Sequence, residues 1–181
     1  MKKFIIGLFI LGLTNLMYSQ NYSIEYRMSD IIPVNYKEDI KNNLGYLRSS
    51  ENYNMAKRAI KLKEIVANFN IQELDIYKPL SASSKVSFLY EVVFKEGANK
   101  IIATYNQKGQ IIHAQEEFYN MPIPRQVSIA LSKKFPGWAY TRTSCKVNYS
   151  KNSDLQISYK IQLKNGKTLK NLKIDSKGNL I

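Results

Sequence analysis

The sequence predicts an α+β fold of two tandem helix-plus-antiparallel-sheet units, with the helices packed on one face of a joined antiparallel sheet. Three observations predict it: an internal repeat, apolar/polar alternation between glycine turns, and an amphipathic helical stretch ahead of each set of strands. Residues 90–112 (YEVVFKEGANKIIATYNQKGQII) align without a gap on 159–181 (YKIQLKNGKTLKNLKIDSKGNLI) at an offset of 69. Six of 23 positions are identical: Tyr90/Tyr159, Lys95/Lys164, Gly97/Gly166, Lys108/Lys177, Gly109/Gly178 and Ile112/Ile181.

The first 20 residues read as a signal peptide, because Lys2 and Lys3 precede an apolar run, residues 4–13, well short of the roughly 20 residues a membrane span needs. The small Ser19 places the cut at Ser19 or Gln20, and no cysteine lies there to carry a lipid, so a periplasmic or secreted mature chain is expected that is not a lipoprotein. Residues 21–52 show no sustained period and read as an N-terminal extension with room for one edge strand. The first unit is assigned to 53–119 and the second to 120–181.

In the first unit, Met55, Ala59, Leu62, Val66 and Phe69 recur at helical spacing, which predicts a helix with Lys57, Lys61 and Lys63 outward. Val86, Phe88, Tyr90, Val92 and Phe94 then share one face of a strand, opposite Ser87, Glu91 and Lys95. In the second unit Ile123, Val127, Ala130, Leu131 and Phe135 mark the helix, Pro124 suits its first turn, and Pro136-Gly137 ends it. A strand over 140–149 sets Thr143, Cys145, Val147 and Tyr149 against Arg142, Ser144, Lys146 and Asn148; the next sets Leu155, Ile157, Tyr159, Ile161 and Leu163 against Gln156, Ser158, Lys160 and Gln162. One polar face per strand means an antiparallel sheet solvated on one side. Gly97 and Asn165-Gly166 predict tight hairpins, and Asn106 to Gly109 and Asp175 to Gly178 predict turns opened by an Asx side chain and closed by a left-handed glycine.

The second unit, with Pro122-Ile123-Pro124, a short helix, Phe135-Pro136-Gly137-Trp138, the 159–166 strand and turn, and Asp175 to Gly178, resembles a PepSY-like unit of the beta-lactamase-inhibitor-like secreted Bacteroidetes proteins. The first copy, 55–118, resembles it more faintly, with Phe69-Asn70-Ile71 in place of Phe-Pro-Gly-Trp. The resemblance implies a periplasmic binding or inhibitory module that offers a concave sheet face to a protein partner. The leader and layout are also similar to short flavobacterial secreted proteins that sometimes bear the label nicotinate-nucleotide adenylyltransferase. The residues do not support that label, since such an enzyme needs a histidine pair for its phosphates and this chain has one histidine, His113.

The formal charge is +13, or +11 once Lys2 and Lys3 are removed, and outside the inner membrane such a surface meets anionic polymers, lipid headgroups and acidic proteins. Aromatics interleaved with basic residues also suit single-stranded nucleic acid, but a leader argues against that partner. With Cys145 as its one cysteine the chain forms no intramolecular disulfide, and its place on an apolar face predicts an inert buried thiol. No Gly-x-Gly-x-x-Gly, Walker or Gly-x-Ser-x-Gly element occurs, and one His and one Cys do not make a zinc site. Glu116 and Glu117 point to opposite faces of a strand and are expected at a solvated strand end; His113 is expected to be an ordinary strand residue. Tyr22, Tyr26, Tyr36, Tyr46 and Tyr53 flank the repeat as candidates for an exposed binding surface. The expected function is a non-catalytic module that binds a protein or peptide through its sheet face, with no cofactor or metal and no transmembrane segment after signal removal. The alternatives are a cationic binder of anionic envelope polymer or lipid, and an enzyme whose pocket would have to gather His113 with carboxylates.

Overall fold

Alternating strands joined by two-residue turns pair most readily with their immediate successors, and the sheet here is a meander. The computed structural model describes residues 22–31 and Ser87 as backbone, together with 43–49, 55–78 and 88–181. The leader with its cut at Ser19 or Gln20 lies outside the described residues, as do Tyr36, Tyr53 and Val86. Seven antiparallel strands follow one another in chain order: β1 (Tyr22–Ile31), β2 (Ser87–Glu96), β3 (Asn99–Asn106), β4 (Ile111–Tyr119), β5 (Ala139–Ser150), β6 (Gln156–Asn165) and β7 (Thr168–Asp175). Helices α1 (Leu44–Arg48) and α2 (Lys57–Asn68) lie between β1 and β2, and α3 (Arg125–Lys134) lies between β4 and β5. None of the described helices is long and apolar enough to cross a membrane.

The hairpins form where glycine permits them. Gly97 and Gly166 sit at φ of 57° and 56°, and close β2–β3 at Glu96↔Asn99 and β6–β7 at Asn165↔Thr168. In the next turns Asn106 Oδ1 accepts from the backbone N–H groups of Lys108 and Gln110, and Asp175 Oδ1 accepts from those of Lys177 and Asn179. Gly109 and Gly178 close them at φ of 75° and 95°. The bounds of β2 and β3 fall on those of β6 and β7 at the offset of 69. Tyr105↔Ile111 and Ile174↔Leu180 keep the same relation.

One face of the sheet is the core. Tyr90, Val92, Phe94, Ile101, Ala103, Tyr105, Ala114, Phe118, Cys145, Val147, Tyr159, Ile161 and Leu163 are buried along it. α2 contributes Ala59, Leu62 and Val66, and α3 contributes Val127 and Leu131. Edge-to-face packing of Phe69 on Phe94, centroids 5.2 Å apart, seats the end of α2. The Tyr105 hydroxyl donates to the Val66 carbonyl at 2.6 Å, which gives a buried polar tip a partner beneath the same helix.

Three expectations are corrected on this face. Lys63 is not outward: it is 1% exposed, and its Nζ donates to Glu116 Oε1 at 2.8 Å and to Ser49 Oγ at 3.0 Å. Glu116 is accordingly buried beneath α2 and not at a solvated strand end, while Glu117 on the opposite face meets Lys146 at 3.4 Å. Tyr46 is not an exposed aromatic; it lies on α1, 1% exposed, with the Lys63 ammonium 4.1 Å from its ring centroid and Tyr149 packed edge-on at 5.2 Å. The physical reason is common to all three. A buried lysine needs a counter-charge and a hydrogen-bonded surround, and α1 and β4 supply them from distant parts of the chain.

Candidate functional site

The face of the sheet away from the helices is where side chains can meet a partner. Cross-strand register assembles its second half. Tyr119 of β4 is opposite Ser144 of β5, Ser144 opposite Lys160 of β6, and Lys160 opposite Lys173 of β7. The adjacent row runs Arg142, Gln162, Asn171. A β-bulge between Tyr140 and Arg142 sets the aim of both residues. It lets the Tyr140 hydroxyl reach the Ser128 carbonyl of α3 at 3.2 Å on one face while Arg142 faces out on the other. The extra residue, Thr141, donates to the Gln162 carbonyl at 3.1 Å, so the bulge leaves no hydroxyl idle.

These strands line a groove of about 530 Å³, within the roughly 300–1,000 Å³ typical of ligand sites. Tyr119, Arg142, Ser144, Lys160, Gln162 and Lys173 are among its walls. Ser144 is 7% exposed and forms the floor, whereas the Tyr119 ring is 44% exposed at the rim. The amides are ordered across three strands: Thr141 Oγ1 lies 3.0 Å from Gln162 Oε1, and Gln162 Nε2 donates to Asn171 Oδ1 at 3.1 Å. Every charged residue lining the groove is a cation, and among the described residues no carboxylate pairs with Arg142, Lys160 or Lys173. Two acids lie near this row in the pairing scheme: Asp175, two residues along β7 from Lys173, whose carboxylate is bonded within its own turn, and Glu117, which is engaged by Lys146 and whose charge holds the Tyr119 hydroxyl above its ordinary pKa.

The turn residues singled out from sequence lie elsewhere. Gly97, Gly109, Asn165, Gly166, Asp175 and Gly178 occupy the turns at the strand ends and serve the fold. The Asn179 amide and backbone hold the Asp175 carboxyl below the usual carboxylate range, which ties that charge to its own turn. His113 stands in β4 opposite Thr104 and Ser150 and does not line the groove. Among the described residues no three His, Cys, Asp or Glu side chains gather as metal ligands. Cys145 is buried, and burial first, then the Glu116 charge, pushes its thiol up to about 12, so at neutral pH it is held protonated. Burial likewise raises the neighbouring Tyr159 hydroxyl.

Alternation alone put Arg142, Ser144, Lys160 and Gln162 on the polar face but did not bring Lys173 to them. The signal that does so is the two-residue hairpin at Gly166, because a turn of fixed length fixes which residues pair on either side. Compared with known proteins, the chain matches no family model and no curated sequence.

Proposed function

We propose that this protein is a secreted or periplasmic, non-catalytic binding module of two PepSY-like units that recognises a protein or peptide through the outer face of its sheet. The observation that carries the reading is the groove over β5, β6 and β7: a concave face with ordered amides, an exposed tyrosine rim and charges of one sign, as a recognition surface requires. The shared offset of β2 with β6 and β3 with β7, and the matching Asx turns, support two units of one design. A second reading, a cationic binder of anionic envelope polymer or lipid headgroups, is favoured by the charges of Arg142, Lys160 and Lys173, with which no carboxylate among the described residues pairs.

The test is to immobilise residues 21–181 and pass a detergent extract of the source envelope over them at low salt and at about 0.5 M salt, where the Debye length is only a few Å. Hydrogen exchange of the complex then locates the contact. A protein retained at both salt concentrations, with protection confined to the outward-facing strands, supports the module. Anionic polymer lost at high salt establishes the second reading, and protection over α2 and α3 instead rejects a sheet-face contact.

A further inference from the structure

We infer that the groove over β5–β7 receives an extended acidic segment of a partner protein, whose carboxylates at alternate positions neutralise Arg142, Lys160 and Lys173. The inference rests on the sheet-face reading above and gives the partner its chemistry. Lys160 and Lys173 are directly opposite each other on one face, an arrangement that disfavours the fold because like charges meet across a strand pair. The other half of the sheet has the same arrangement, Lys95↔Lys100, but there the row continues into Glu117 and then Lys146, so an acid stands in the row directly beside Lys100. The row through Lys160 and Lys173 continues into Ser144 and Tyr119 and contains no acid. An uncompensated cluster inside a groove is an anion site that a ligand completes.

Geometry selects the kind of anion. Directly opposed side chains on a sheet face start about 5 Å apart and diagonal ones about 7–8 Å apart, which sets Arg142 diagonal to Lys160 and Lys160 beside Lys173. An extended chain repeats its same-face side chains every 6.4–6.8 Å or so, close to the diagonal spacing. Carboxylates at positions i and i+2 therefore reach Arg142 and the lysine pair together. The Gln162 and Asn171 amides, held in line by their mutual hydrogen bond, suit a peptide backbone, and the exposed Tyr119 ring suits an aliphatic stem.

The probe is a fluorescein-labelled hexapeptide, Glu-Thr-Glu-Thr-Glu-Thr, titrated by anisotropy against residues 21–181. Its comparators are the Gln-Thr hexapeptide, the contiguous Glu-Glu-Glu-Thr-Thr-Thr and polygalacturonate as an anionic polymer. The alternating acidic peptide is expected to bind about tenfold or more tightly than the Gln-Thr peptide and several-fold more tightly than the contiguous one, because register and not charge alone is read. The double variant Lys160→Gln/Lys173→Gln is expected to lose that tenfold, whereas Lys133→Gln/Lys134→Gln, which removes the same charge from the end of α3, leaves it unchanged. Circular dichroism confirms that both variants fold. Equal affinity for the contiguous peptide or the polymer, equal loss in both double variants, or no binding overturns the inference. If a partner from the envelope extract protects the outer face yet binds Lys160→Gln/Lys173→Gln normally, the acidic-segment inference falls and the sheet-face reading stands; protection elsewhere removes both.

Discussion

Beneath α2, Glu116 meets a lysine that the helix brings to within 2.8 Å, with Ser49 and Tyr46 closing the surround; across β6 and β7, Lys160 and Lys173 stand side by side in solvent, and no carboxylate among the described residues pairs with either. The first arrangement spends its charges on the fold, because removing either partner leaves an ion buried in an apolar setting. The second leaves charge available to a ligand, at a small expense in stability. The position in α3 that corresponds to Lys63 at the offset of 69 is Ser132, which is exposed and uncharged. Two stretches of one sheet thus differ in which face carries the uncompensated charge.

The largest expected effect breaks the buried side of this comparison. Lys63→Ala or Glu116→Ala is expected to cost about 3–5 kcal/mol in urea unfolding, by stranding the other charge. The double change Lys63→Met/Glu116→Leu is expected to recover most of it, because an apolar pair of similar volume needs no counter-charge. A loss as large in the double variant as in either single one would show that packing, and not the stranded ion, sets the cost.

Cys145 lies in β5, at the seam where the halves join, and tests how well that seam is closed. Burial pushes its thiol up to about 12 in the fold from an ordinary 9.0. Between those values the unfolded chain releases the proton and the folded chain keeps it, so the stability Cys145 contributes is present below about pH 9 and lost as pH rises toward 12. Cys145→Ala is expected to flatten the alkaline limb of a stability-against-pH curve without abolishing it, since burial also raises Tyr105 and Tyr159. At pH 8 the native thiol is expected to react with a thiol reagent only as fast as the protein opens.

The matched turns give a smaller and more symmetrical test. Gly109 and Gly178 share a backbone conformation, but a Cβ at Gly109 would find only Ile71 at 3.9 Å, whereas one at Gly178 would lie 2.9 Å from Ala130 of α3. Gly109→Ala is expected to cost about 1 kcal/mol for its positive φ. Gly178→Ala is expected to cost about 2 kcal/mol, the excess measuring how closely α3 is held on its sheet. Equal costs would mean that α3 yields without resistance.

The strands and their turns were legible because period-two alternation and glycine turns are local signals, each contained within about ten residues. The Lys63–Glu116 pair was not, because its partners are 53 residues apart. A lysine one step along from Leu62 in α2 reads as outward unless the opposing strand is known to present an acid. α1 is a single short turn whose order depends on Tyr46 entering the core, and five residues without a period carry no helical signature. The groove was half legible. Alternation turned Arg142 and Lys160 outward, the hairpin register could have placed Lys173 beside them, and no glycine or proline at Thr141 betrayed the bulge that aims Arg142.

The smallest stability effect decides the most about the exposed side of the comparison. Lys173→Glu turns a like-charge cross-strand pair into an opposite-charge one, and for an exposed pair the expected gain in folding stability is about 0.5 kcal/mol, screened by salt. Lys100→Glu in the other half makes the same exchange beside Lys95 but places the new acid opposite Glu117, so it is expected to be neutral or mildly destabilising. Such a gain would mark the lysine pair as uncompensated within the fold, as an acidic partner requires. If Lys173→Glu instead destabilises as Lys100→Glu does, the lysine pair is already compensated within the chain, and the groove loses its claim to an acidic partner.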